Sequence, residues 1–137
     1  MDWKHVLADA GGEAVMRLGG PPDELAAASA AASELGFFSA RIDGKSAPDK
    51  AALLRQLAAS LRFPAYFGGG WDALADCLTD LSDWIDAPGY LIVFTNAGDL
   101  CRAKREDLAV FADILESAAQ FWRKRTPPRP FKAIMAG

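Results

Sequence analysis

The sequence has few of the residues on which enzymes, metal sites and nucleic-acid sites depend. It contains one histidine, His5, and two cysteines in 137 residues. This leaves no Ser/His or Cys/His pair close in sequence and no metal-ligand spacing. The net charge of -3 argues against general nucleic-acid binding, which requires a clustered basic surface. We therefore expect a protein that is not an enzyme, does not bind nucleic acid and holds no metal or other cofactor.

Long apolar runs and targeting patterns are also missing. No stretch reaches the roughly 20 apolar residues of a membrane-spanning helix, and the first residues do not show a basic start followed by an apolar segment. These absences predict a cytoplasmic protein with no membrane partner. In a reducing compartment Cys77 and Cys101 are expected to remain free thiols.

Basic residues are scarce in the middle of the chain and cluster near its end. No Lys or Arg lies between Phe63 and Cys101. Five basic residues fall within the last fifteen positions, after a long helical pattern, and we interpret them as a helix end that interacts favourably with the negative pole of the helix dipole. These residues are Arg123, Lys124, Arg125, Arg129 and Lys132.

The hydrophobic pattern alternates between strands and helices. Because helical segments rather than two-residue turns separate the strands, we expect parallel pairing in an α/β fold, with residues 1–137 forming a single domain. Residues 1–12 have only weak patterning. The predicted strands are 14–18, 37–42, 90–95 and 131–135, and the predicted helices are 23–35, from 48 to before 64, 71–82 and 104–125.

An acidic stripe follows a glycine loop. Asp72, Asp76 and Asp80 recur every four residues, so a helix would place them on one face, although like charges at this spacing repel each other by roughly 0.2–0.5 kcal/mol per pair. Asp83 and Asp86 extend the run. The resulting surface has no positive charge nearby in sequence and suits a cationic partner.

Other interpretations of this segment are weaker. Asp72 would also interact favourably with the helix dipole, but Asp76 lies mid-helix, where the dipole contributes little. Gly68–Gly70 is a poor phosphate cradle, because an acidic helix follows it. A Mg²⁺ site at Asp72 and Asp76, as in a metal-dependent hydrolase, would need further carboxylates from strand ends, and the nearest is Asp99.

The segment from Phe63 to Leu81 resembles the loop and helix of the barstar family of intracellular ribonuclease inhibitors. The matching pattern is Phe-Pro-x-Tyr-Phe-Gly-x-x-Trp-Asp-Ala-Leu-x-Asp-Cys-Leu-Thr-Asp-Leu. The similarity extends over residues 36–137, and residues 1–35 would be an N-terminal extension with a strand and a helix. The resemblance implies a three-layer fold with a small, mainly parallel sheet of three to four strands packed by helices.

The resemblance also implies a binding site. In the family the loop and helix enter a ribonuclease active site, and helix carboxylates take the places of substrate phosphates. The protein would then be an immunity-type inhibitor, a monomer when free, and the alternative is an interaction module of the same fold for a basic partner that is not a nuclease. Gly69, Gly70 and Ala75 depart from the family pattern. The implied contacts are Tyr66, Phe67, Gly68, Gly69, Gly70, Asp72, Ala75, Asp76, Thr79, Asp80 and Glu116, with Ser117 or Asp113 as alternatives to Glu116.

Overall fold

The computed structural model describes residues 1–20 and 22–137, and these contain four strands separated by helices, with five α-helices in all. None of the described helices combines the length and apolarity that a membrane crossing requires. The strands are β1 (Val15–Leu18), β2 (Phe38–Asp43), β3 (Tyr90–Thr95) and β4 (Phe131–Ala136). The helices are α1 (Trp3–Ala8), α2 (Pro22–Glu34), α3 (Lys50–Ser60), α4 (Trp71–Thr79) and α5 (Arg105–Arg123), and short 3₁₀ turns occur at Gly44–Ser46, Leu81–Asp83 and Ala97–Asp99.

The strands form one sheet in the order β1-β4-β3-β2, and every described pair is parallel. This confirms the α/β class and the parallel pairing predicted from the sequence. Parallel strands cannot be joined by tight turns, so each connection crosses over through at least one helix. β1, the first strand in sequence, pairs with β4, the last.

Helices cover both faces of the sheet. Alternate residues of a strand point to opposite faces, so Leu91 and Val93 pack under α1 and α2, while Ile92 and Phe94 pack under the three remaining helices. The continuous apolar run of β3 is explained by this burial on both sides. The architecture is therefore a helix–sheet–helix sandwich of three layers.

Helix α1 was not predicted, and His5 lies in it rather than in irregular chain. The Asp2 side chain caps the helix by accepting a hydrogen bond from the backbone N–H of His5 at 3.2 Å. Only Trp3 and Leu7 are buried, one turn apart, and Trp3 Nε1 donates to Glu24 of α2 at 2.8 Å. Six residues with two apolar contacts are too short for a periodic signal, so tertiary packing determines this helix.

Lys132 is buried and does not belong to a basic helix end. It is 1% exposed, and its Nζ donates to the backbone carbonyls of Asp9 at 2.7 Å and Glu13 at 2.9 Å. Burial lowers the pKa of this ammonium group, since a charge loses hydration there. The grouping of five basic residues is therefore wrong in part: Lys132 joins β4 to the segment between α1 and β1, and only Arg123–Arg125 mark the helix end.

Both cysteines are buried free thiols. Burial is the largest cause that raises the pKa of Cys77 and of Cys101, and nearby carboxylates raise both further. The thiols therefore remain protonated and unreactive at neutral pH. Cys77 occupies the apolar side of α4 as a small core residue, as its position in the helical pattern predicts.

We infer that residues 1–35 fold together with the rest of the chain as one unit, because they cover apolar residues of β3 and β4. Trp3→Ala should then lower the stability of the whole protein by about 3–5 kcal/mol, the usual effect of removing a buried large aromatic side chain. Urea unfolding followed by circular dichroism measures this, with His5→Ala, exposed on the same helix, as the control. An unchanged main transition for Trp3→Ala would mean that α1 unfolds separately.

Candidate functional site

Helix α4 begins directly after three glycines, and a Cβ atom added at any of them would project into open space. Gly68 and Gly69 are exposed, and Gly69 has a φ of 84°, a left-handed conformation that favours glycine. Gly70 is the N-cap residue in extended conformation, so no side chain accepts a hydrogen bond from the first turn. The backbone N–H groups at this helix start are consequently open to solvent or to a partner.

The buried face of α4 fixes the helix against α5. Leu74, Cys77 and Leu78 are buried, and Trp122 Nε1 of α5 donates to the backbone carbonyl of Leu78 at 2.9 Å. At the start of the helix the Trp71 ring stacks on a buried phenylalanine of α5, with 6.4 Å between ring centroids. The apolar side of α4 is therefore held at both ends, and its opposite side has a fixed orientation.

Helix α4 ends at Thr79 rather than at Ser82. The Thr79 hydroxyl donates back to the carbonyl of Ala75 at 3.3 Å or of Asp76 at 3.1 Å, and the Asp80 N–H reaches two carbonyls of the last turn. These shorter-range bonds tighten the chain into the 3₁₀ turn Leu81–Asp83. Asp80 is thus the C-cap residue, one position beyond the last residue of α4, although the sequence predicts it within the helix 71–82.

The carboxylates of α4 and its end have no ionic partner among residues 1–20 and 22–137. Asp72 and Asp76 are exposed, Asp80 is half-buried, and no described basic side chain lies within 4.0 Å of these three or of Asp83. We name Asp72, Asp76, Asp80 and Asp83 the acidic surface. At the start of α4, the Nζ of Lys50 of α3 lies 5.1 Å from the Trp71 ring centroid.

Asp86 does not belong to the acidic surface. Its carboxylate pairs with the Arg129 guanidinium at 3.1 Å. Arg129 also donates to the Ala87 carbonyl and to the Tyr90 hydroxyl, so it is held by three partners. The prediction of five carboxylates without compensation is therefore wrong for Asp86, since its partner comes from a distant part of the sequence.

Tyr66 forms an exposed aromatic edge beside the acidic surface. It is 62% exposed, and its hydroxyl lies 3.4 Å from Oδ2 of Asp80. Desolvation, and then the Asp80 charge, raise the pKa of this phenol, which keeps it a neutral hydrogen-bond donor. Phe67, the second member of the predicted aromatic pair, is half-buried against Phe63 with ring centroids 4.9 Å apart, so it supports the loop from below.

Trp84 is a member of this site that the sequence did not reveal. Its ring meets Tyr66 edge-on with centroids 6.4 Å apart, and its Nε1 donates to the backbone carbonyl of Leu61 at 2.9 Å. A half-buried tryptophan between the aspartates at 83 and 86 gives no periodic signal on its own. Its role becomes visible only once the turn after α4 brings it beneath Tyr66.

Glu116 does not extend the acidic surface. Together with Ala119 and Arg123 on the same flank of α5, it lines a small cavity of about 80 Å³ whose other wall is the N-terminal segment at Ala10, Gly12 and Ala14. Glu116 thus lies on the flank of α5 that faces the N-terminal segment. Around the helix, residue 117 lies about 100° and residue 113 about 60° from residue 116, so a contact from Ser117 or Asp113 of α5 stays a prediction.

The arrangement offers charge and shape rather than reactive groups. Within residues 1–20 and 22–137, no three or more His, Cys, Asp or Glu side chains are grouped to hold a metal ion. The glycine loop, Tyr66 and four aspartates instead form a negatively charged surface around the start, exposed face and end of one helix. Such a surface can bind a concave, positively charged partner through charge-assisted hydrogen bonds.

Removal of charge from this surface should not destabilise the fold. Asp76→Asn is expected to leave the free energy of unfolding within about 0.5 kcal/mol of the wild type, or to raise it slightly, because the exposed side chain has no described partner and repels its neighbours. Chemical denaturation at low salt measures the difference. Leu78→Ala, on the buried face of the same helix, is the contrasting variant and should cost about 2–5 kcal/mol. A loss near 2 kcal/mol for Asp76→Asn would indicate a structural role.

A known protein family matches most of the chain. No curated protein matches the chain. The model of the family described as Barstar (barnase inhibitor) matches residues 37–135, which include three of the four strands, α3, α4, α5 and the whole acidic surface. The chain therefore belongs to the barstar family of ribonuclease inhibitors.

Proposed function

We propose that this protein inhibits a ribonuclease by inserting the acidic surface and the glycine loop into the enzyme's active site. The family is one of inhibitors that bind ribonucleases as protein partners. The particular contacts proposed for this chain are Tyr66, Gly68, Gly69, Gly70, Asp72, Ala75, Asp76, Thr79, Asp80 and Asp83.

The observation that carries the proposal is that, within the described part of the chain, four clustered aspartates have no ionic partner. Asp86, by contrast, is paired with Arg129. A ribonuclease active site holds phosphates and therefore presents cationic side chains around a cleft. Carboxylates at the spacing of one helical turn can take the places of successive phosphates, and their repulsion in the free protein is relieved when cations approach.

The rigid position of α4 also favours binding to such a cleft. The hydrogen bond from Trp122 to Leu78 and the stack of Trp71 on Phe111 hold α4 before any partner arrives. Binding then costs little conformational entropy in the helix, so more of the electrostatic interaction appears as affinity. Asp76, midway along this helix, is the proposed centre of the contact.

The glycine loop and Ala75 bear on which ribonuclease is bound. Gly69 and Gly70 present only backbone, and Ala75 places a methyl group beside Asp76 and Asp72 where a larger side chain would fill the contact. This contact face is shallow. A shallow face favours a nuclease whose cleft rim projects toward the helix and fills the space that a bulky side chain would otherwise occupy.

The biological setting follows from the same proposal. An immunity-type inhibitor would act in the cytoplasm of a bacterial cell and protect its RNA from a toxin or a secreted nuclease. A monomeric free state is consistent with the small number of large hydrophobic side chains that are exposed among the described residues: Met1, Tyr66 and Val110.

Inhibition can be tested with the nucleases encoded beside this protein and with barnase-like enzymes. The wild-type protein should abolish RNA cleavage at a one-to-one ratio with its target. Asp76→Ala should weaken inhibition at least about tenfold, because it leaves a cation unpaired in the cleft. Asp23→Ala removes the same charge from α2, on the other side of the sheet, and is the matched control.

The outcomes separate two kinds of partner. Unchanged nuclease activity across the panel would overturn the proposal. Affinity capture on the wild-type protein, but not on Asp76→Ala, that returned a basic protein without nuclease activity would instead favour an interaction module of the same fold. Equal losses for Asp76→Ala and Asp23→Ala would mean that net charge, rather than the acidic surface, governs binding.

The association rate should depend strongly on salt. Raising NaCl from about 0.01 M to about 0.15 M shortens the Debye length from about 30 Å to about 8 Å, which screens the long-range attraction between opposite charges. Stopped-flow fluorescence should show a falling association rate with a smaller change in the dissociation rate. A rate independent of salt would contradict steering by the acidic surface.

A further inference from the structure

Two adjacent cavities open at the edge of the sheet where the parallel strands end, and they share no residue with the acidic surface. The larger has a volume of about 330 Å³ and the smaller about 230 Å³. Leu18 and Gly137 line both. Arg17, Gly98 and Arg105 add to the wall of the first, and Leu25, Arg41 and Asn96 to the wall of the second.

Three arginines at this edge have no acidic partner among the residues that the structure describes. Arg17, Arg41 and Arg105 are exposed, and within the described part of the chain no carboxylate lies within 4.0 Å of any of them. The Arg105 side chain is positioned by a hydrogen bond from Nη1 to the Gly98 carbonyl at 2.9 Å. The remaining N–H groups of a guanidinium held in this way are available for an anion, and their planar fork matches phosphate oxygens.

The topology places these cavities where open α/β sheets usually bind ligands. The chain leaves β1 for α2 on one face of the sheet and leaves β3 for α5 on the other face, while β4 lies between the two strands. Connections that diverge to opposite faces leave a crevice at the carboxyl ends of the strands. Arg17 and Gly19 come from the β1 side of this crevice, and Gly98 and Arg105 from the β3 side.

We propose that this crevice binds a phosphorylated small molecule of about mononucleotide size. Arg17 and Arg105 would hold the phosphate in the larger cavity. The apolar portion would lie in the neighbouring cavity against Leu18 and Leu25, with Arg41 and Asn96 at its rim. The larger cavity lies at the lower end of the usual range for small-molecule sites, about 300–1,000 Å³, and the neighbouring cavity of about 230 Å³ adds room beside it.

Isothermal titration calorimetry of the intact protein at low salt tests this site with inorganic phosphate, inorganic pyrophosphate and adenosine 5′-monophosphate. Saturable binding is expected, with the mononucleotide bound more tightly than phosphate. Arg17→Gln and Arg105→Gln should each weaken binding at least about tenfold, as expected for loss of a charged hydrogen bond. Arg55→Gln, an exposed change of equal charge on α3, should have little effect. Asp76→Ala should bind normally, which separates this site from the proposed inhibition.

Amide chemical shifts measured during the pyrophosphate titration locate the site. Shifts centred on Gly19, Gly98 and Gly137 support the proposal. Shifts centred on Arg123–Arg125 overturn it, because that basic helix end would then be the anion site. Absence of saturable binding, or equal weakening by Arg55→Gln, also overturns it. The arginines could instead serve only to stabilise the end of β4. Their substitution would then lower the melting temperature, and the wild type would bind no anion, which would also overturn the proposal.

Discussion

Burial of a parallel sheet on both faces is the constraint on which this structure depends. A parallel sheet of this kind exposes apolar side chains in two directions, and neither set is stable in water. Leu91 and Val93 of the central strand β3 require the N-terminal helices on one side, while Ile92 and Phe94 require α3–α5 on the other. The N-terminal segment is therefore part of the core, although the family match begins only at residue 37.

The same constraint makes the charged helix possible. A nine-residue helix without a side-chain N-cap and with aspartates one turn apart would not be stable alone. Burial of Leu74, Cys77 and Leu78 compensates for this intrinsic weakness, so the exposed face is free to carry mutually repelling charge. Stability and binding are thus assigned to opposite sides of one helix.

Most of the fold could be predicted from the sequence because its signals are local. The apolar run 90–95, the helical spacing of 104–125 and the glycine-to-aspartate segment each carry their own pattern, and the structure agrees with them to within a few residues. The predictions were wrong where contacts between residues distant in sequence determine the structure. Helix α1 depends on Glu24 and the sheet for its contacts, and Asp86 pairs with Arg129, which lies forty-three positions later in the sequence.

The candidate site was predictable to a similar degree and for the same reason. Asp72, Asp76 and Asp80 are related by helical periodicity, which sequence reveals directly. Trp84 reaches Tyr66 only through the turn after α4, and the orientation of Glu116 depends on how α5 rotates against the N-terminal segment. Periodicity gives the faces of one helix but not the angle at which that helix meets its neighbours.

The pairing of β1 with β4 has a consequence for how the protein forms in a cell. β1 is made early, but its described partner strand is the last to be synthesised, and Lys132 of that strand also holds the carbonyls of Asp9 and Glu13. During translation, α1 and α2 therefore cannot cover a complete sheet, because β4, which lies between β1 and β3, has not yet been made. Long-range pairing of this kind slows folding and leaves apolar surface open meanwhile. The sheet is thus complete only when residues from both ends of the described chain have come together.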